Sequence, residues 1–299
     1  MKEITLGDGG MGSELSMRGV EVPSHVDSIW SALALSESSK IIKEIHSDYI
    51  EAGSDYITIN NYAVTQPILA RNEKSDQLED LTLKAISLAK EAVKESGKEV
   101  DIAGSLPPLE TSYRADLILP EQQMLEYYSE IAVILEGQVD IIICETMASS
   151  SEARCALKSI QNSNSKRWVS WTLHGNRMNT LPSGEDIESA FLNLTDLEAD
   201  AYLINCCGAN FVGEAIKKLS ALSNKPIGGY ANSENITTSS KSSSAITNAE
   251  YIQKLFKSEL NEEKYSAEVM NWINSGASIV GGCCRTRPSY IKRLKEILK

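Results

Sequence analysis

Eight short apolar runs, separated by longer segments of helical periodicity, constrain most strongly what this chain can fold into. The runs are EITLGDGG (3–10), DYITINNY (55–62), VDIAGSLP (100–107), VDIIICET (139–146), RWVSWTLH (167–174), AYLINCCG (201–208), PIGGYANS (226–233) and SIVGGCC (278–284). The third, fourth and sixth are almost continuous in β-branched or apolar residues, the pattern of strands buried on both faces in a parallel sheet. Helical patterns lie between them. In residues 36–53, Ile41, Ile42, Ile45, Tyr49 and Ile50 make one apolar face and Gly53 supplies a stop. Residues 80–97 end the same way at Gly97, and 120–137 open on Pro120, suited to a first helical position, and close at Gly137. Shorter helices are expected over 149–161, 184–195, 211–222, 248–275 with a break, and 288–298. Eight strands alternating with eight helical connections favour a closed (β/α)8 barrel (TIM barrel) of the α/β class over an open sheet. At 299 residues, the chain matches one such barrel, a single domain over 1–299.

The longest stretch without periodicity, 231–248, is rich in Ser and Thr and reads as a mobile loop after the seventh strand. The formal charge of −12, with 41 acidic against 29 basic residues, should repel nucleic acid and anionic lipid and points to a small-molecule partner. No apolar run reaches membrane-spanning length, and MKEITLGDGG has neither the basic start nor the apolar middle of a signal peptide. A cytoplasmic location is expected. In that reducing compartment the six cysteines should be buried, catalytic or metal-bound rather than paired in disulfides.

Barrel chemistry collects where strands end. Here those ends carry Asp8, Asn60, Asn61, Glu145, His174, Cys206, Asn232, Cys283 and Cys284. Thiols converging from the sixth and eighth strands form a soft donor set suited to zinc. Neither vicinal pair has CxxC spacing, and a closed four-cysteine site would be redundant in a barrel with a large core. Three thiolates with an open position would suit catalysis. Against this, each of Cys144, Cys155, Cys206 and Cys207 taken singly reads as plain packing, Asp8 and Glu145 as capping or solvated carboxylates, Trp30 as a core or lid aromatic, and His174 as structural.

Beyond these patterns, GDGGMGSEL (7–15), INCCG (204–208) and GGCCRTRP (281–288) resemble the signatures of the homocysteine S-methyltransferases. The resemblance extends through WSALALSES (30–38), AGSDYITINNY (52–62), CETM (144–147) and YANSE (230–234), in the family's order. It implies a zinc-containing (β/α)8 barrel with Cys206, Cys283 and Cys284 as the metal ligands. Cys207 stands where many relatives carry another residue, and strand alternation points it away from Cys206.

The implied reaction is methyl transfer to the sulfur of homocysteine, yielding methionine. Zinc held by three thiolates keeps a fourth position at which the substrate thiol loses its proton and stays nucleophilic. Asp8 and Glu145 would hold the amino acid portion of homocysteine, Glu145 its ammonium group, with Asn232 near by. Gly9 and Gly10 would let backbone N–H groups approach its carboxylate. The donor must be an onium compound or a methylated cofactor, and Trp30 and Tyr62 could face a cation through their rings. Betaine-using relatives carry an aromatic just after the fourth-strand Glu, where this chain has Thr146. That resembles the branch using S-methylmethionine or S-adenosylmethionine, with betaine or dimethylsulfoniopropionate as the alternative. A zinc- or thiol-binding protein that transfers no methyl is the other class to separate.

Overall fold

A computed structural model describes residues 3–22, 30–173, 178–236 and 257–299, the side chains of Trp30 and Lys257 excepted. Its strands are β1 (Thr5–Leu6), β2 (Tyr56–Thr58), β3 (Asp101–Leu106), β4 (Ile141–Met147), β5 (Lys166–Trp171), β6 (Ala201–Gly208), β7 (Ile227–Asn232), β8 (Glu234–Ile236), β9 (Lys257–Glu259) and β10 (Ile279–Gly282). Eight of them form one sheet in the order β1-β10-β7-β6-β5-β4-β3-β2, parallel at every pairing. The seam between β1 and β2 is drawn together by Asp55, whose N–H donates to Leu6 O at 2.6 Å and whose Oδ2 accepts from Leu6 N–H at 2.8 Å. Asp140 and Asp200, each just before a strand, accept from Ile102 N–H and Arg167 N–H in the same way. The result is a nearly closed (β/α)8 barrel.

The helices are α1 (Met11–Met17), α2 (Leu33–Glu37), α3 (Ser39–Ala52), α4 (Gln66–Arg71), α5 (Leu78–Ser96), α6 (Glu121–Leu135), α7 (Ser150–Ser159), α8 (Ile187–Leu192), α9 (Ala209–Leu222), α10 (Glu262–Asn274) and α11 (Pro288–Ile297). The α3 and α5 stops fall at Gly53 and Gly97, whose positive φ angles of 108° and 64° suit residues without a Cβ. No helix among the described residues is long and apolar enough to cross a membrane.

Side chains alternate across each strand, so every strand serves two cores. Tyr56, Ala103, Ile141, Ile143, Trp168, Ala201, Leu203, Tyr230 and Ile279 fill the barrel. Ile57, Ile102, Ile142, Val169, Tyr202, Ile204 and Val280 pack outward in the larger core. This double burial explains why β4 and β6 read as unbroken apolar runs.

The chain departs from expectation at several places. Pro120 precedes α6 as its cap rather than starting it. Residues 231–236, expected as the start of a loop, are mostly strand, because β8 pairs antiparallel with β9 and buries Glu234 against Arg285. Residues 257–259 are therefore strand and the α10 helix begins at Glu262; the part of the expected 248–275 helix before residue 257 lies outside the described residues. The rest of the expected loop, 237–248, lies outside the described residues.

Candidate active site

The interior carries apolar layers below and a polar one above. Continuing Ile141 and Ile143 upward brings Glu145 inward, and continuing Ala201 and Leu203 brings Asn205 inward. Strict alternation would then send Cys206 outward with Ile204. It does not, because the β6 register shifts between Asn205 and Gly208 and Cys206 adopts φ 53°, an uncommon left-handed conformation for a residue with a Cβ. The bulge turns Cys206 into the cavity at the mouth and leaves Cys207 fully buried in the outer core. A second bulge in β4, between Cys144 and Met147, places Thr146 at φ 58° and puts both Glu145 and Thr146 on the cavity wall.

Cys283 and Cys284 occupy a tight turn after β10. Cys283 N–H donates to Ala231 O at 2.9 Å and Cys284 N–H to Asn232 Oδ1 at 3.2 Å. Thr286 returns to Cys283 O through its hydroxyl at 2.6 Å. Arg285 N–H donates to Ser13 Oγ at 2.9 Å, and the Arg285 guanidinium pairs with Glu234 of β8 and Glu259 of β9. Gly10 must lack a side chain, since a Cβ there would sit 2.5 Å from Ser13 Oγ and 2.6 Å from Cys283 O. The two glycine-rich motifs, at opposite ends of the sequence, thus interlock. Arg287 closes the contact on the buried Glu14, at 3.0 Å.

The turn and the β6 bulge bring the sulfurs of Cys206, Cys283 and Cys284 within 4.8 Å of one another, with Cys206 and Cys284 at 3.7 Å. Tetrahedral zinc with Zn–S bonds of about 2.3 Å spaces its sulfur ligands roughly 3.8 Å apart. The donor set fits a metal ion. Its electrostatics agree: contacts with Cys206 and Cys284, then burial, push the Cys283 thiol well above its ordinary value. Three thiolates crowd together only around a cation.

Two carboxylates face the same space. Glu145 accepts from Ser105 Oγ at 2.6 Å and from Tyr230 OH at 3.2 Å. Burial pushes its acidity down, and those two hydrogen bonds oppose the shift. Asp8 accepts from Thr58 N–H at 2.8 Å; burial, with Glu145 adding to it, pushes its pKa up to about 8. A cationic group entering between them would restore both charges.

The cavity lining also includes Gly9, Gly10, Tyr56, Tyr62, Tyr113 and Tyr230. Tyr62 hydrogen-bonds Ser112 Oγ at 2.8 Å. Asn232 does not line the cavity; its amide holds the Cys284 turn. Gly10 N–H is taken by Thr286 O at 3.1 Å, so of the two glycines only Gly9 is left for the backbone role expected of them. Asn60 and Asn61 are buried tethers, the first to Ser31 at 2.8 Å and the second to Ser105. Residue 174 and the Trp30 side chain lie outside the described residues. Sequence reasoning missed Tyr113, whose hydroxyl lies 2.7 Å from Cys206 Sγ. It sits in the aperiodic segment after β3, where neither period nor spacing marks a residue. Ser105 and Tyr230 were legible only as inward positions of their strands.

Comparison with known proteins agrees with this geometry. The family model for homocysteine S-methyltransferase matches residues 5–298. Homocysteine S-methyltransferase 1 of Brassica oleracea var. italica is 27% identical over 318 residues, spanning 98% of this chain and 92% of its own. The homocysteine S-methyltransferase of Escherichia coli (strain K12) is 27% identical over 315 residues, spanning 98% and 95%. Among solved structures, the metallated form of the homocysteine methyltransferase MmuM from Escherichia coli shares the fold, with a TM-score of 0.80 at 24% identity, over 99% of this chain and 96% of that one. The chain belongs to the homocysteine S-methyltransferase family and is a methyltransferase.

Proposed function

We propose that this protein methylates homocysteine at a zinc ion held by Cys206, Cys283 and Cys284, with a sulfonium compound as donor. The observation that carries the reading is the placement of three clustered sulfurs beside two buried carboxylates in one cavity. Bound there, zinc supplies a Lewis acid that makes a nearby thiol a thiolate at neutral pH. Glu145 and Asp8 bind the substrate ammonium, and Gly9 offers its N–H to the carboxylate. These contacts fix the substrate sulfur in line with the donor methyl. A sulfur–methyl bond forms as the donor's bond breaks, its electron pair staying on the donor sulfur, which leaves as a neutral thioether. The thiol proton passes to solvent.

For the donor, S-methylmethionine or S-adenosylmethionine is favoured over betaine or dimethylsulfoniopropionate, because Thr146 follows Glu145 and its side chain is fully buried. Tyr62, whose ring lines the cavity, would face the donor cation, the role also expected of Trp30, whose side chain lies outside the described residues. With zinc-loaded protein and homocysteine, methionine should form with either sulfonium amino acid and not with betaine. Methionine from betaine alone would overturn the donor assignment. Bound homocysteine with no product from any donor would favour a thiol-binding protein, although such a protein has no use for the carboxylate pair.

Asp8 makes this reading testable by proton counting. With a pKa of about 8, Asp8 is mostly protonated at neutral pH, and pairing with the substrate ammonium should ionise it. Calorimetric titration of homocysteine at pH 7 in buffers of different ionisation enthalpy should show about one proton fewer released by Asp8→Asn than by the parent. The difference should shrink as the pH rises through about 8. Equal release at neutral pH would place Asp8 outside the ammonium site.

A further inference from the structure

We infer that Asn205 is a positioning residue that clamps the two strand bulges together and so sets Glu145 and Cys206 at a fixed separation. Its side chain is fully buried and reaches across β5. Asn205 Oδ1 accepts from Thr146 N–H at 3.1 Å and from Ser170 Oγ at 2.7 Å, and its Nδ2 donates to Thr146 Oγ1 at 2.7 Å. Thr146 and Cys206 are the residues at which β4 and β6 take left-handed backbone, a conformation that persists only where its surroundings enforce it. Each adjoins or is a group that faces the cavity: Glu145 precedes Thr146, and Cys206 follows Asn205 directly. One amide therefore ties the ammonium-binding carboxylate to a metal-binding sulfur, and the Ser170 hydroxyl braces that amide from β5.

The inference rests on the proposed zinc and homocysteine sites and predicts that loosening the clamp degrades both together. Thr146→Val keeps the side-chain volume but removes the oxygen that receives Asn205 Nδ2; Thr146→Ser restores it. Zinc affinity is read by competition with a chelator, homocysteine affinity by titration, and melting temperature on the metal-free protein. Thr146→Val and Asn205→Ala should each weaken zinc and homocysteine by roughly tenfold or more, as is usual when the outer support of a metal ligand is lost. Thr146→Ser should recover both affinities. A lowered melting temperature with parental zinc and homocysteine affinities, or loss of only one of the two, would overturn the coupling. Should Asn205→Ala fail to fold, the Thr146 pair decides alone. If the parent binds zinc and homocysteine yet forms no methionine from any donor, the proposed reaction fails while the coupled loss of affinities still tests the clamp.

Discussion

Cys284→Ala should lose its metal and nearly all methyl transfer, while Cys207→Ala, one residue from the proposed ligand Cys206, should keep both. Structural zinc sites bind with about 10–16 kcal/mol, so one of four ligands carries about 2.5–4 kcal/mol, and its loss should weaken zinc roughly 10²- to 10³-fold. The vicinal partner has no such role. Cys207 is fully buried in the outer core, and burial pushes its thiol up to about 12, so it stays protonated and is held as an apolar side chain. Its truncation should cost about 1–2 kcal/mol of stability without altering metal content. Cys144, fully buried on the outward face of β4, should behave in the same way. Metal analysis of the three purified variants checks the assignment: parental zinc in Cys284→Ala would remove this residue from the site, and lost zinc in Cys207→Ala would mean that the bulge presents the other sulfur.

That comparison shows what the sequence made legible and what it withheld. The barrel was readable because its signals are local and repeated: two-residue alternation within strands, helical periodicity between them, and glycines such as Gly53 and Gly97 where helices stop. The convergence of Asp8, Glu145, Cys206, Cys283 and Cys284 followed from one topological rule about strand ends. Which of two adjacent cysteines faces inward did not follow. Alternation from Leu203 would have selected Cys207, and the choice of Cys206 came from family resemblance; its physical cause is a bulge whose stabilising contacts come from β4 and β5, far away in sequence. Tyr113 was hidden for the same reason. The β8–β9 pairing was missed because the polar 231–248 segment offers no apolar run; its start pairs with Lys257–Glu259 of β9, and Arg285, 51 residues on from Glu234, bridges the two strands through Glu234 and Glu259.

Glu145→Gln should weaken homocysteine binding by about 10- to 150-fold without unfolding the protein or releasing its metal. The glutamine keeps the shape, and the hydroxyls of Ser105 and Tyr230 can reorient to serve an amide as they serve the carboxylate. What disappears is the charge proposed to face the substrate ammonium, a charge-assisted hydrogen bond of about 1.5–3 kcal/mol. Stability should move the other way. Burial raises the Glu145 pKa in the folded chain, so between its unfolded and folded values the unfolded state ionises first and stability falls as pH rises. Glutamine carries no such penalty. The variant's melting temperature should therefore match the parent's at acid pH and exceed it increasingly above the ordinary carboxylate range. Weaker homocysteine binding together with that pH-dependent gain identifies a carboxylate held at a cost in order to bind a cation; superimposable homocysteine titrations would make Glu145 a structural residue and leave the ammonium to another partner.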